Sequence, residues 1–205
     1  MNIDGYIVDV VKDDLLIEIQ TRNFSVIKDK LFKLMKEHPI RLVHPIPVEK
    51  WVVRQAIDGQ TEFSRRLSPK KMRLEHLFEE LVRIPTYILH HNFSLEIILT
   101  KEEEIRVNDG RGSWRKRGWS NVDRRLIEVI DRRLYSEPQD FLHFIPETLV
   151  QPFTTKTLAE ACGISKRLAQ KMTYCMRKMS VLKTMGKDGN SYLYSRSQFA
   201  YHDQV

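Results

Sequence analysis

The chain has 205 residues, of which 41% are hydrophobic and 30% charged, a balance that supports a folded core and excludes wholesale disorder. No apolar run reaches the ~18 residues of a membrane span, and the N-terminus lacks a basic stretch followed by an apolar segment and a small-residue cleavage site. A cytoplasmic protein with no membrane partner is therefore expected. The net charge of +7 is concentrated in the last quarter, where Thr154 to Ser197 holds nine basic residues and two acidic ones. A localised positive surface marks a polyanion partner, because each phosphate neutralised releases counterions.

Residues 5–11 and 15–20 read as strands that meet at Asp13-Asp14. Apolar residues at Phe24, Ile27, Leu31, Leu34 and Met35, with Lys28, Lys30, Lys33 and Lys36 between them, predict a helix from Asn23 to about Glu37. Asn23 is its expected N-cap, and Pro39 stops it. Ile40 to Val48 reads as a buried strand and Lys50 to Gln55 as another, ending at the Asp58-Gly59 turn.

A basic, proline-broken segment follows from Arg65 to Arg73, then a helix over Leu74 to Arg83 and a strand over Phe93 to Thr100. From Asp109 to Arg125 a glycine-bearing loop interleaves Trp114 and Trp119 with Arg111, Arg115, Lys116 and Arg117. Such a loop tracks a phosphate backbone with its tryptophans stacked on unpaired bases, or else the tryptophans anchor it to the core. A helix is expected over Asp123 to Leu134, then a linker with three prolines from Ser136 to Thr155. The domain limits are 1–135 for an α/β domain, 136–153 for the linker and 154–205 for a smaller domain.

Thr154 to Ser197 resembles a winged helix-turn-helix domain. Thr155 caps a helix through Cys162, Gly163 allows the turn, and Ser165 caps a second helix running to Met179. Leu158, Ala161, Ile164, Leu168, Met172, Cys175, Met176 and Met179 form the inward set, so both cysteines are read as small buried thiols. No Cys/His spacing resembles a zinc site. Lys166, Arg167, Gln170, Lys171 and Tyr174 remain outward, where a recognition helix meets base edges, and Lys187 sits in the wing hairpin. The alternative is a winged helix used for protein contacts, with the lysines as a solvated face.

The N-terminal strands carry Asp9 and Glu18 inside dense apolar patterns. A two-residue loop at Asp13-Asp14 sets Asp9 opposite Glu18 and Ile7 opposite Gln20, all on one face. Facing carboxylates repel, and burial adds desolvation unless a cation or counter-charge holds them. Mg²⁺ (or Mn²⁺) takes carboxylate oxygens, and such an ion binds a scissile phosphate and activates water. The alternative is an acid pair neutralised by Arg22 or a helix lysine, without metal.

Asp9, then Glu18-Ile19-Gln20 on the next strand, then a helix and a further strand resemble the core of the PD-(D/E)xK nuclease superfamily over about residues 5–55. The resemblance implies a restriction endonuclease-like mixed sheet flanked by helices, with Asp9 and Glu18 as metal ligands. Gln20 takes the place of the usual catalytic lysine, and Lys28 or Lys30 on the next helix is the substitute. The family core begins with a helix, whereas this chain starts almost on a strand. Either that helix is supplied from elsewhere in the chain or by a partner, or the start is truncated, or the domain has lost activity; the expected partners are DNA and either a second copy in a homodimer or a protein that supplies the helix. The expected function is Mg-dependent DNA hydrolysis targeted by the winged helix. The alternative is a non-enzymatic DNA-binding regulator on a degenerate nuclease fold.

Overall fold

The computed structural model describes residues 1–59, 61–112, 114 and 117–197. The first expected strand is broken in two. Strands β1 (Asn2–Ile3) and β2 (Tyr6–Ile7) form a small hairpin of their own, with Asp4 and Gly5 both at positive φ in its turn. Val8 exchanges backbone hydrogen bonds with Met1, which pulls the chain off the ladder before Asp9. Strands β3 (Val10–Lys12) and β4 (Leu15–Ile19) then close through Asp13-Asp14, with Asp13 at φ 53°. Their pairs are Val10 with Ile17, Val11 with Leu16 and Lys12 with Leu15, the register read from the sequence.

Asn23 turns the chain at φ 58° instead of capping a helix, and α1 is limited to Lys28–Leu34. The expected apolar stripe survives: Phe24, Ile27, Leu31, Leu34 and Met35 are all buried. Strand β5 (Ile40–Gln55) is one element where two were expected. Its start runs parallel to β4, and Trp51–Gln55 pair antiparallel with β6 (Glu62–Leu67). Pro45 and Pro47 fall between these two paired stretches, the position at which a strand tolerates a residue with no N–H.

A 3₁₀ turn (Leu74–Leu77) runs into α2 (Phe78–Leu81), within the helix expected there. Strand β7 (Phe93–Asn108) extends well beyond Thr100. The helix expected over Asp123 to Leu134 is instead strand β8 (Trp119–Tyr135). Apolar residues at 122, 126, 130 and 134 recur every four positions, a spacing that fits one face of either a helix or a strand. Pairing with β7 decides for the strand, the usual way tertiary context overrides local preference. Among the described residues the sheet is mixed and six-stranded, in the order β3-β4-β5-β7-β8 with β6 beside β5.

The expected linker is ordered structure. A 3₁₀ helix (Pro138–Phe144) buries Phe141 and Phe144 against Tyr135 and Phe78. Beyond it lie β9 (Phe153–Thr154), α3 (Thr155–Cys162), α4 (Lys166–Lys178), β10 (Leu182–Asp188) and β11 (Ser191–Arg196). The strands form a sheet in the order β10-β11-β9. Thr154, one residue before the expected cap, holds the start of α3 through reciprocal bonds with Thr157. Gly163, at φ 62°, ends α3, and Ser165 caps α4 by accepting the Leu168 N–H at 3.2 Å.

The inward set of α4 is Leu168, Met172, Cys175, Met176 and Met179, as expected. On α3, Leu158 is buried as expected, whereas Ala161 is exposed and Ala159, to the other side of Leu158 around the helix, is buried instead. Cys162 is half-buried and Cys175 buried.

The chain thus has a mixed α/β fold, with a multi-stranded mixed sheet flanked by helices. It forms two compact units. One contains Met1–His44, Glu75–Glu96 and the described residues from Leu134 onward. The other contains Pro45–Leu74 and Ile97–Arg133. In the second unit Glu104 is buried between Lys50 at 3.0 Å and Arg106, and Arg65 reaches Glu103 at 2.7 Å. No helix among the described residues is long and apolar enough to cross a membrane.

Candidate functional site

The hairpin register carries Asp9 and Glu18 to neighbouring positions at the open end of the β3–β4 ladder, and each acid caps the other's strand. The Asp9 N–H donates to Glu18 Oε1 at 3.2 Å, and the Ile19 N–H donates to Asp9 Oδ2 at 2.8 Å. Glu18 is buried, with only 4% of the residue exposed. Its counter-charge is Lys30, whose ammonium donates to both Glu18 Oε1 and the Ile7 carbonyl. A single lysine thus satisfies the carboxylate that the sequence reading assigned to a divalent ion, in the manner of the metal-free alternative. With that ammonium bonded to Glu18 Oε1, the pair as arranged does not fit a cation between the two acids.

Helical geometry explains why Lys30 and not Lys28 fills this role. Two residues of α-helix rotate a side chain by about 200°, so when one lysine faces the hairpin the other faces away. Lys28 is exposed, and its carbonyl accepts the Tyr87 hydroxyl at 3.1 Å. Gln20 is not gathered with the acids: its amide Nε2 is turned onto the Arg22 and Asn23 carbonyls. The Gln20 carbonyl accepts from His44 Nδ1 at 2.7 Å. Burial pushes the His44 pKa down, more than the Gln20 bond pulls it back, so this imidazole is neutral at pH 7.

The second cluster lies on α4 and the β10–β11 hairpin. At 100° per residue, Lys166, Arg167, Gln170, Lys171, Tyr174 and Arg177 fall within an arc of about 140°. All are exposed except Lys171, which is half-buried. Lys166, Gln170, Tyr174 and Arg177 line a groove of about 300 Å³, closed on its other sides by Lys156 of α3 and by Asn190 and Tyr192 of the hairpin. Lys187, in β10, lies over the Tyr192 ring at 4.9 Å.

Lys156, Arg177, Asn190 and Tyr192 were missed as site residues by the sequence reading. Lys156 and Arg177 counted only towards charge, and the hairpin residues join the groove through a fold-back that no local pattern encodes. At the other basic segment Trp119 is anchored, edge-on to Phe63 at 6.4 Å with the Arg54 guanidinium over it at 4.9 Å. Trp114 is 83% exposed. Arg117 is exposed at φ 49°, while Arg115 and Lys116 lie outside the described residues.

Residues 1–136 match the family described as Domain of unknown function (DUF8091). The chain belongs to that family. The DUF8091 match covers both acids, α1 and the long strands, and ends before the α3–α4 elements. The chain is also similar to an uncharacterized protein of Treponema pallidum (strain Nichols), 27% identical over 194 residues, which is 94% of this chain and 76% of that protein. An alignment of that length extends beyond the DUF8091 residues into the basic C-terminal elements. No solved structure matches the chain.

Proposed function

We propose that this DUF8091 protein binds duplex DNA through α4 and the β10–β11 hairpin, as a non-enzymatic regulator on a restriction endonuclease-like fold. The observation that carries the reading is the composition of the α4 groove. Point cations at Lys156, Lys166 and Arg177 surround Gln170, Asn190 and Tyr174, groups that hydrogen-bond or stack on bases. A purely solvated basic face has no need of polar amides and an exposed tyrosine at its centre. Two capped helices joined at Gly163 and followed by a hairpin support the winged-helix reading, with α4 as the recognition helix and β10–β11 as the wing.

Strand, strand, helix and parallel strand, in the order β3, β4, α1, β5, support the restriction endonuclease-like reading of the sheet. The Lys30 ammonium bonded to Glu18 supports the non-enzymatic form, since it already neutralises the acid that a metal ion would need.

The test is fluorescence anisotropy of labelled duplex DNA across a salt series. Log affinity should fall linearly with log salt, by about 0.9 per phosphate contact, and Lys166→Ala and Arg177→Ala should each reduce the slope by about one contact. Absence of salt-dependent affinity would rule the reading out in favour of protein recognition. A second reading, phosphodiester hydrolysis, is favoured by the register that sets Asp9 beside Glu18. It requires Lys30 to release Glu18 to an ion. Cleavage in Mg²⁺ or Mn²⁺ that disappears in Asp9→Ala would establish it, and binding without cleavage would eliminate it.

A further inference from the structure

Strand β8 is the last strand of its sheet, and from Asn121 to Leu134 nearly every residue is solvent-exposed. Leu126 and Ile127 are 63% and 46% exposed on opposite faces. A long edge with apolar residues on both faces is a template for another strand, and proteins normally blunt such edges with like charges, proline or bulges. This edge is built differently. Its sequence holds the motif Val/Ile-Asp-Arg-Arg-Leu twice, at Val122–Leu126 and Ile130–Leu134. It therefore carries both signs of charge in a repeated order.

We propose that β8 pairs antiparallel with β8 of a second copy of this chain, about a two-fold axis at Glu128. In that register residues whose numbers sum to 256 face each other. Asp123 meets Arg133 of the second copy, Arg125 meets Asp131, and Ile127 meets Val129, each contact repeated by the symmetry. On the opposite face Leu126 meets Ile130. The same face sets Glu128 against Glu128 and Arg124 against Arg132, like charges that each chain eases with Lys101 on Glu128 at 2.7 Å and with Glu102 near Arg124.

Competing pairings fit less well. Parallel pairing in register sets Asp against Asp and Arg against Arg. Moving the axis to Ile127 sets Asp123 against Asp131, and moving it to Leu126 sets Asp123 against Val129 and Arg125 against Ile127.

Sedimentation velocity on the intact chain at micromolar concentration should show a dimer. Asp123→Arg replaces an attraction with an Arg–Arg contact on each side of the axis and should weaken association about tenfold or more. The reciprocal double change, D123R with R133D, rebuilds the pairs with reversed sign and should restore dimerisation to within about threefold of the unmodified chain. A monomer at all concentrations overturns the proposal. So does a double variant no better than the single one, which would show that positions 123 and 133 do not meet.

Discussion

Replacing Lys30 with methionine isolates the interaction on which the acid pair rests. The variant keeps the length and most of the apolar stem of the side chain but removes the charge, leaving Glu18 buried with the Asp9 N–H as the remaining partner of its Oε1 among the described residues. Breaking a buried ion pair by removing one partner costs about 3–5 kcal/mol. The lower end applies because the Lys30 side chain retains 17% exposure and water reaches that side. The Ile7 carbonyl also loses its donor, a contribution of about 1 kcal/mol where it does not rehydrate. A loss of about 3 kcal/mol is therefore expected.

The second variant, Lys30→Met with Glu18→Gln, removes the stranded charge and should recover to within about 1 kcal/mol of the parent. Urea denaturation followed by far-UV circular dichroism is the assay. Trp51, Trp114 and Trp119 all lie in the unit that lacks Lys30, so tryptophan fluorescence would report the wrong transition. A loss below about 1 kcal/mol in the single variant would refute the role given to Lys30. Recovery of the single variant in millimolar Mg²⁺ would refute the metal-free reading itself.

Glu104 and Cys175 give two further tests. Burial alone would raise the Glu104 pKa, but hydrogen bonds from Arg106 and Lys50 outweigh it and hold the group at about 2. Because the folded value lies below the unfolded one, Glu104 contributes stability above the unfolded pKa of ~4.3 and loses it as pH falls towards 2. Tryptophan-monitored urea midpoints should show a shallower decline over that acid range in Glu104→Gln, and an unchanged pH slope would refute the assignment. Burial pushes the Cys175 thiol up to about 12, which leaves it more than about a thousandfold short of thiolate relative to a free cysteine. A thiol reagent at neutral pH should therefore label Cys162 in the folded protein and Cys175 only after denaturation, and equal native labelling rates would contradict the packing of α4.

Where neighbours in sequence carry the information, the sequence was sufficient. The Asp13-Asp14 loop fixes the β3–β4 register, because a two-residue turn leaves one way to pair the flanking residues. The cap at Ser165, the stop at Gly163 and the buried stripe of α4 follow from local backbone chemistry and the helical period. Position along α4 likewise placed Lys166, Gln170 and Tyr174 on one exposed face.

Tertiary structure decided the rest. β8 has apolar spacing compatible with helix and strand alike, and only the pairing with β7 selects the strand. Lys30 and Lys28 are equivalent in the sequence pattern, and the rotation of α1 against the hairpin chose which ammonium meets Glu18. The groove at α4 closes with Asn190 and Tyr192 because β11 folds back beside the helix. Periodicity reports which face of an element is apolar, whereas the partner of a charge depends on the orientation of one element against another, which is set by packing across the core.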